Sequence, residues 1–219
     1  MSEPVDQYYE LRLEQTRKAL EKNGFAAHVV KDKDAARQLV MDEIIPGLIE
    51  EKGAKVVGLG GSMTITASGI YDAVKADGRL ELIDSYGGDP AQSLELRRKA
   101  LLSDIFLTGT NAVVEDGCLV NLDGLGNRVA AMAFGPENVI VVVGRNKLCP
   151  DVDTAMSRIK EFAAPANSIR LDRKTPCTKT GSCADCSAPG RICNSWLITE
   201  KSAPKHRIHV VLIGEDLGL

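Results

Sequence analysis

The apolar run at residues 139–143 is the feature that most constrains the fold. Its five residues, Val-Ile-Val-Val-Val, are all β-branched, a pattern typical of a central parallel strand that is covered on both faces. Further strand patterns lie at 25–30, 55–59, 80–84, 105–114 and 208–213, and helical patterns lie at 32–52, 64–75, 90–103 and 151–163. Strands that alternate with helices predict an α/β fold with a mainly parallel sheet.

Two parts of the chain depart from this alternation. The Asp-Gly pair at 116–117 predicts a hairpin turn, with 118–122 as the returning strand, so we expect a locally mixed sheet. Residues 165–202 show little helical or strand periodicity and contain four of the six cysteines. We therefore expect a single domain over 1–219, with an α/β core at 1–164, an irregular cysteine-rich lobe at 165–202, and a returning strand and tail at 203–219.

Composition and termini exclude several classes of function. The formal net charge is −3 and aromatic residues make up only 4% of the chain, whereas nucleic-acid binding needs a basic face or a stacking platform. The first twenty residues lack the apolar segment of a secretory signal, and no apolar run is long enough for a spanning helix. The sequence thus predicts a cytoplasmic protein that neither binds nucleic acid nor inserts into a membrane.

Four cysteines, spaced C-x5-C-x2-C-x6-C, form the densest group of potential metal ligands: Cys177, Cys183, Cys186 and Cys193. Such thiolates can hold a metal or an iron–sulfur cluster, stay as reduced thiols, or pair as disulfides, and a reducing cytoplasm disfavours the disulfides. Structural zinc sites usually pair two short knuckles, but here only Cys183 and Cys186 form one. The spacing favours a loop around a [4Fe–4S] cluster, with zinc as the alternative.

A glycine-rich turn follows the strand pattern at 55–59. Gly60 and Gly61 would let backbone N–H groups approach an anion, and the following helix would add partial positive charge. Ser62 and Thr64 would add hydroxyl donors. The turn is neither a P-loop nor a complete G-x-G-x-x-G motif. The other interpretation is a turn that packs helix on strand, with Ser62 as the N-cap.

Further polar residues lie at predicted strand ends or turns: Asn111, Asn127, Arg128 and Lys147. Ligands of open parallel sheets sit beyond the carboxyl ends of the strands, so Asn111 and Lys147 are expected to converge there. Arg128 can bind a carboxylate or phosphate through its guanidinium fork, and Lys147 can act as a point charge. The alternative is that Asn127 only holds a turn and that the basic side chains are solvated.

No nucleophile–base constellation stands out in the sequence. The three histidines are too scattered for a catalytic triad, and His206 and His209, beside a terminal strand, are predicted to be surface residues. Cys118 lies within a predicted strand and should be buried. Cys149 is predicted to be a structural loop thiol.

Together these motifs resemble the LUD (lactate-utilisation) domain family over nearly the whole chain. The resemblance rests on Gly-Leu-Gly-Gly-Ser-Met-Thr at 58–64, Leu-Thr-Gly-Thr-Asn-Ala at 107–112 and Glu-Asp-Gly at 115–117. It continues through Gly-Asn-Arg-Val-Ala at 126–130, Gly-Arg-Asn-Lys at 144–147, the four-cysteine segment and Gly-Glu-Asp-Leu-Gly at 214–218.

The resemblance implies a Rossmann-like fold of the sugar-phosphate isomerase and CoA-transferase type. In that group the glycine loop after an early strand holds phosphate or another anion. The glycine order here differs from that of the isomerases, and the resemblance supplies no catalytic carboxylates. Asp84 and Glu115 are the nearest carboxylates by placement, and no role is assigned to them.

Family members take part in oxidising L-lactate to pyruvate, in complexes whose partner subunits carry iron–sulfur clusters. The resemblance therefore implies a redox or accessory subunit for lactate or a similar organic acid, with a bound cluster, a small carboxylate or phosphate ligand, and iron–sulfur partner subunits. The chain lacks the C-x2-C-x2-C-x3-C-P run of ferredoxin-type modules, so its own cysteines or a partner would carry the electrons. The alternative is a non-redox module that binds an anion or an acyl-CoA-like ligand and has a structural zinc site. The sequence leaves open whether the chain is itself an enzyme.

Overall fold

A computed structural model describes residues 3–86 and 89–219. Its main sheet, sheet A, consists of β1 (Ala26–Val30), β2 (Val56–Leu59), β3 (Glu81–Ile83), β4 (Ile105–Gly109), β7 (Asn138–Gly144) and β10 (Ile208–Ile213). The strand order is β1-β10-β7-β4-β2-β3, and every pairing is parallel. Every residue of β7 is buried, as the β-branched run predicts. The predicted α/β class with a mainly parallel sheet is confirmed.

The predicted hairpin belongs to a second sheet, so the expectation of one locally mixed sheet was wrong. Sheet B consists of β5 (Ala112–Val114), β6 (Cys118–Asp123), β8 (Leu148–Cys149) and β9 (Ser195–Thr199), in the order β8-β5-β6-β9. The strand predicted at 105–114 is therefore two strands. Between them, the buried Thr110 hydroxyl donates to the carbonyls of Ala112 (2.9 Å) and Val120 (3.3 Å) and holds the chain where it leaves sheet A.

Ten α-helices are seen in the described residues: α1 (Glu3–Lys22), α2 (Lys33–Leu39), α3 (Ile45–Lys52), α4 (Met63–Ala67), α5 (Ile70–Asp77), α6 (Pro90–Lys99), α7 (Asn127–Ala133), α8 (Val152–Arg158), α9 (Ala164–Arg170) and α10 (Cys177–Thr180). A π-helical turn, Val40–Ile44, joins α2 to α3, and Pro46 is accommodated in the first turn of α3. Gly69, with φ of 72°, divides the helix predicted at 64–75 into α4 and α5. None of the described helices is long and apolar enough to cross a membrane.

The helices and sheet B cover the two faces of sheet A. One hydrophobic core joins sheet A to the segments from α2 to α5, and a second joins its other face to α1, α7 and sheet B. Alternate residues of β5 and β6 face opposite ways, so Val113 and Leu119 pack toward sheet A. Their neighbours, such as Val114 and Val120, pack with Ala155 of α8 in a third core.

The irregular lobe predicted at 165–202 is shorter in the structure, because both of its ends form regular elements. Residues 164–170 form α9, which continues α8 through the π-helical turn Ile159–Ala163. Residues 195–199 form β9, the edge strand of sheet B, antiparallel to β6. Trp196 and Ile198 of β9 are exposed although both are apolar, so the strand lacks the alternation of apolar and polar residues that would have predicted it. The irregular part, with the short α10 inside it, is residues 171–194.

Candidate functional site

The glycine-rich turn joins β2 to α4 at the carboxyl end of sheet A. The Gly60 N–H donates to the Leu107 carbonyl (2.9 Å), and the Gly61 N–H donates to the Tyr86 hydroxyl (2.7 Å). The Ser62 hydroxyl accepts from the Ile65 N–H (3.3 Å) and caps α4. The packing interpretation of Ser62 is therefore correct, and the N–H groups of Gly60 and Gly61 are bonded within the protein.

The close approach of β2 and β4 explains two of the glycines. A Cβ on Gly60 would lie 2.5 Å from the Thr108 hydroxyl oxygen, and one on Gly109 would lie 2.4 Å from that of Ser62. Neither position has room for a side chain unless its neighbour moves. The two strand ends thereby bring the start of α4 against the residues that follow β4.

Lys147 follows β7 and is 4% exposed. Its ammonium nitrogen donates to the Thr64 hydroxyl (2.9 Å) and to the Thr110 carbonyl (3.2 Å). Burial, and then the charges of Arg158 and Arg128, lower the pKa of Lys147 to about 7. A neutral amine has two N–H groups for these two acceptors, whereas the protonated form has a third. No other hydrogen bond from this nitrogen occurs within the described residues.

Arg128 organises the polar residues beside Lys147. Its guanidinium donates to Asn111 Oδ1 (2.7 Å) and Asn121 Oδ1 (3.2 Å), and it pairs with Asp123 (3.1 Å). Asn111 also accepts from the Leu122 N–H (3.0 Å), so its orientation is fixed. The fully buried Asn121 has no partner for its Nδ2 among the described residues. An unpaired buried amide donor costs about 1–3 kcal/mol.

Arg158 reaches the same region from the end of α8. It donates to the carbonyls of Asn146 (3.1 Å) and Asn111 (3.0 Å), and its guanidinium lies 5.4 Å from the centre of the Phe162 ring. Burial lowers the pKa of Arg158. Arg158 was not predicted as a site residue, because nothing in the sequence distinguishes it from a solvated helix residue. Asn121 was not predicted either, although a polar amide inside an otherwise apolar strand was a usable indication.

These residues form one site at the carboxyl ends of the strands, which we call the Lys147 cluster: Thr64, Asn111, Asn121, Arg128, Lys147 and Arg158. It holds three cationic side chains, and Asp123 is the only carboxylate that bonds to them within the described residues. Buried charges are normally paired. The excess of positive charge and the unpaired Asn121 donor suit an anionic ligand.

The structure brings only some of the predicted binding residues together. Thr64, Asn111, Arg128 and Lys147 meet as the sequence predicts. The turn residues Gly60, Gly61 and Ser62 shape the strand ends behind them, and their anion contact stays a prediction. Asn127 is the first residue of α7, next to Arg128, and its role also stays a prediction.

The C-terminal segment 215–218 lies over the same strand ends. The Asn146 side chain accepts from the Leu217 N–H (3.0 Å) and donates to the Gly218 carbonyl (3.1 Å). The Thr64 hydroxyl donates to the Leu217 carbonyl (3.2 Å). A Cβ on Gly218 would lie 3.2 Å from the Lys147 nitrogen. This segment therefore forms one wall of the Lys147 cluster.

Asp84 and Glu115, the nearest candidates for catalytic carboxylates in the sequence, each bond to another side chain. Asp84 accepts from the Tyr71 hydroxyl (2.6 Å), and this hydrogen bond raises the pKa of Tyr71 to about 12. Glu115 forms an ion pair with Arg12 of α1. Neither arrangement identifies a catalytic carboxylate.

The four cysteines of the predicted metal site are free thiols on the irregular segment 171–194. Burial raises the pKa of Cys193; the charges of Arg191 and Lys160 oppose this shift, and those of Cys183 and Cys186 add to it. Cys177 begins α10, and its sulfur lies 3.2 Å from the Thr175 hydroxyl. In the part of the chain that the structure describes, no three Cys, His, Asp or Glu side chains form a group ready to hold a metal ion. Convergence of all four cysteines on one site stays a prediction.

The other two cysteines lie inside the fold. Cys118 is 4% exposed, and burial raises its pKa to about 12. Its predicted burial is confirmed. Cys149 is buried in the short strand β8 rather than in a loop.

Two surface cavities lie outside the Lys147 cluster. One, of about 380 Å³, is lined by residues 186–189, Arg191 and Asn194. It opens beside the cysteines. The other, of about 690 Å³, lies between α2 and α5 and is lined by side chains of both charges, among them Arg37 and Asp77. It contains no residue of the Lys147 cluster or of the cysteine segment.

The chain has matches to one family model and to solved structures. The model of the LUD domain matches residues 13–213. The crystal structure of a DUF162 family protein from Deinococcus radiodurans is 18% identical, with a TM-score of 0.50 over 94% of this chain and 98% of that chain, and at this identity the likeness shows the fold alone. No curated protein matches the sequence. Because the family model spans nearly the whole chain, the protein belongs to the LUD domain family.

Proposed function

We propose that this protein is a redox or accessory subunit in the oxidation of lactate or a similar organic acid. In this proposal the Lys147 cluster binds the carboxylate of the acid, and the four cysteines of segment 171–194 hold an iron–sulfur cluster. The observation that carries the carboxylate site is the excess of buried positive charge at the carboxyl ends of the strands. Membership of the LUD family supports the metabolic role.

In this proposal a carboxylate accepts from the donors that the Lys147 cluster leaves unused. One oxygen would accept the third N–H of protonated Lys147, and the other would accept from Asn121 Nδ2, which has no partner within the described residues. Arg128 and Arg158 would contribute charge while their own hydrogen bonds hold Asn111 in place. Phosphate carries the same chemistry, so the binding experiment compares the two.

The cysteine segment has the chemistry that an iron–sulfur cluster requires. Cys177, Cys183, Cys186 and Cys193 are free, half-exposed thiols. Thiolates are the usual ligands of such clusters, and a cluster spaces its ligands farther apart than a single ion does. A cluster would supply one-electron chemistry, either alone or with iron–sulfur partner subunits. Free thiols suit a reducing compartment, and we place the protein in the cytoplasm.

Anaerobic purification tests the metal proposal. Iron, acid-labile sulfide and zinc are measured per chain, together with the visible spectrum. A brown protein with iron and sulfide in equal amounts supports the proposal. A colourless protein with one zinc per chain supports the alternative, a non-redox anion- or acyl-CoA-binding module with a structural zinc site. Anaerobic protein that contains no iron and no zinc would contradict both the proposal and the alternative.

Calorimetric titration tests the carboxylate site. We expect lactate or pyruvate to bind more tightly than phosphate, and binding to depend on Lys147. The matched control is Lys31→Met, because the Lys31 side chain is 83% exposed and pairs only with Asp32 within the described residues. If lactate, pyruvate and phosphate bind equally weakly to the wild type and to Lys147→Met, the Lys147 cluster is not the ligand site.

A further inference from the structure

Arg191 holds both ends of the last cysteine loop. Its guanidinium donates to the carbonyls of Cys186 and Cys193, the latter at 2.9 Å, and to the Asp185 carboxylate at 2.9 Å. Its own N–H closes a turn onto the Ala188 carbonyl (3.0 Å). A single planar side chain therefore fixes the separation of two cysteine backbones that lie seven residues apart.

Lys160 reaches the same loop from the π-helical turn Ile159–Ala163. Its ammonium group pairs at 2.7 Å with Asp185, which lies between Cys183 and Cys186 in the chain. Asp185 is thus shared by two cations, Lys160 and Arg191. One carboxylate for two cations leaves an excess of positive charge in this loop.

We propose that Arg191 is a positioning residue that sets the spacing of Cys186 and Cys193, and that Lys160 offsets the negative charge of the thiolates when a metal group binds. This inference rests on the proposed function, because it requires the cysteines to be ligands. It adds two residues that are not cysteines, Arg191 inside the last loop of the motif and Lys160 from outside it, each with its own role. Residues outside the ligand set that orient a site typically change metal affinity by about 10- to 100-fold when they are removed.

The shape and the charge of Arg191 are separable by two substitutions. Arg191→Lys keeps the charge but cannot reach two carbonyls and a carboxylate through one rigid fork. Arg191→Gln removes the charge as well. Lys160→Gln removes the charge of the second cation while leaving the fork of Arg191 intact. Lys174→Gln is the matched control, because it removes a lysine of the same segment that pairs with the exposed Asp172.

The experiment uses the full chain, freed of metal and titrated anaerobically with Co²⁺ and then Zn²⁺. The intensity of the cobalt–thiolate absorption reports how many sulfurs bind, and competition gives the affinity. We expect Arg191→Gln to bind about 10-fold or more weakly with a reduced thiolate band. Arg191→Lys should also show a reduced thiolate band, because it keeps the charge but not the fork. Lys160→Gln should bind the metal more weakly, with a thiolate band of wild-type intensity. Lys174→Gln should match the wild type, and circular dichroism checks that each variant is folded.

The failures of the two proposals are distinguishable. If the wild type binds both metals and Cys186→Ser does not, the cysteine site stands. If Arg191→Lys, Arg191→Gln and Lys160→Gln then all behave like Lys174→Gln, this inference is overturned while the proposed function survives. If the wild type gives no thiolate band at all, this inference is overturned, whereas the proposed function is decided separately by the iron and sulfide content of the anaerobic protein.

Discussion

The Lys147 cluster and the cysteine segment are two polar regions built in opposite ways. In the Lys147 cluster, Thr64, Asn121 and Lys147 are buried, and its side chains bond to one another or to strand-end carbonyls. The cysteine segment 171–194 has four half-exposed thiols and only the short helix α10. Its order depends on a few long side chains such as Arg191.

This contrast has an energetic consequence. The hydrophobic cores on both faces of sheet A hold the Lys147 cluster in place, so its cost of burial is offset by packing elsewhere. The cysteine segment buries little apolar surface of its own, with Cys193 at the edge of the third core. A bound metal group would therefore add far more order to the cysteine segment than a ligand would add to the Lys147 cluster.

The largest expected effect is loss of the metal group from the cysteine segment. Cys186→Ser should reduce iron or zinc from one site per chain to nearly none, because serine is a poor ligand for either. Cys118→Ala is the control, since Cys118 lies buried in β6 and should leave the metal content unchanged. Lactate binding should change less than about twofold in both variants. A large loss of lactate binding in Cys186→Ser would show that the two regions depend on each other.

Low pH should reduce the free energy of unfolding of the metal-free protein through His209 in sheet A. His209 was predicted to be a surface residue, but it belongs to β10, which lies between β1 and β7 in sheet A. Burial, and then the charges of His28 and His206, lower the pKa of His209 to about 4. The unfolded chain then binds more protons from about pH 6.5 down to pH 4, so stability falls across that window by up to about 3 kcal/mol. Urea unfolding at several pH values measures this.

His209→Leu should flatten that acid dependence. His206→Asn is the comparison, because His206 is exposed and has φ of 64°, which asparagine tolerates. It removes only the smallest of the three causes of the lowered His209 pKa, so most of the acid dependence should remain. An unchanged pH profile in His209→Leu would assign acid sensitivity to another group.

Lys147→Met separates binding from stability. Loss of a charged hydrogen-bond donor should weaken lactate binding by about 1.5–3 kcal/mol, or roughly 10- to 100-fold. Stability should change by less than about 1 kcal/mol, because the cost of burying the amine disappears with its hydrogen bonds. Calorimetry and urea unfolding measure the two effects. A strong destabilisation would mean that Lys147 is a structural residue.

The pH dependence of ligand binding gives a finer test of the Lys147 cluster. With the pKa of Lys147 at about 7, the amine loses its proton as pH rises, so lactate affinity should fall by up to about tenfold per unit above pH 7. The stability of the ligand-free protein should instead rise with pH between about pH 7 and 10.5, because in that range the unfolded chain holds this proton and the folded chain does not. Lys147→Met should lose both dependences. Affinity that is constant between pH 6 and 9 would contradict a role for the Lys147 charge.

The smallest expected effect concerns the link between the two regions. The Asn194 N–H donates to the Asp123 carbonyl, and its side chain donates to the Gly124 carbonyl, both at 2.9 Å. Asp123 also pairs with Arg128 of the Lys147 cluster. Asn194→Ala should cost less than about 1 kcal/mol and speed hydrogen exchange at 171–194 without changing lactate affinity. A severalfold change in affinity would reveal coupling through Asp123.

Local patterns predicted the elements better than their partners. The β-branched run at 139–143 identified β7, and the hairpin turn at 116–117 was placed correctly. The switch between sheets at Thr110 and Asn111 was not predicted, because strands on both sides of it carry the same apolar pattern. Arg158 was missed for a related reason, since its burial depends on where α8 packs and not on its neighbours in sequence.

The sequence by itself determined the family, the α/β class and the parallel sheet, because these follow from periodicity, turn chemistry and motif order along the chain; between the two interpretations of the glycine turn, the structure decided that Ser62 caps α4. Only the tertiary structure decided that the hairpin forms a second sheet with β9, that Arg158 and Asn121 join Lys147, and that Arg191 and Lys160 face the cysteines. Those features depend on contacts between segments that are distant in sequence. Their energies are set by burial and charge in three dimensions, which no local pattern encodes.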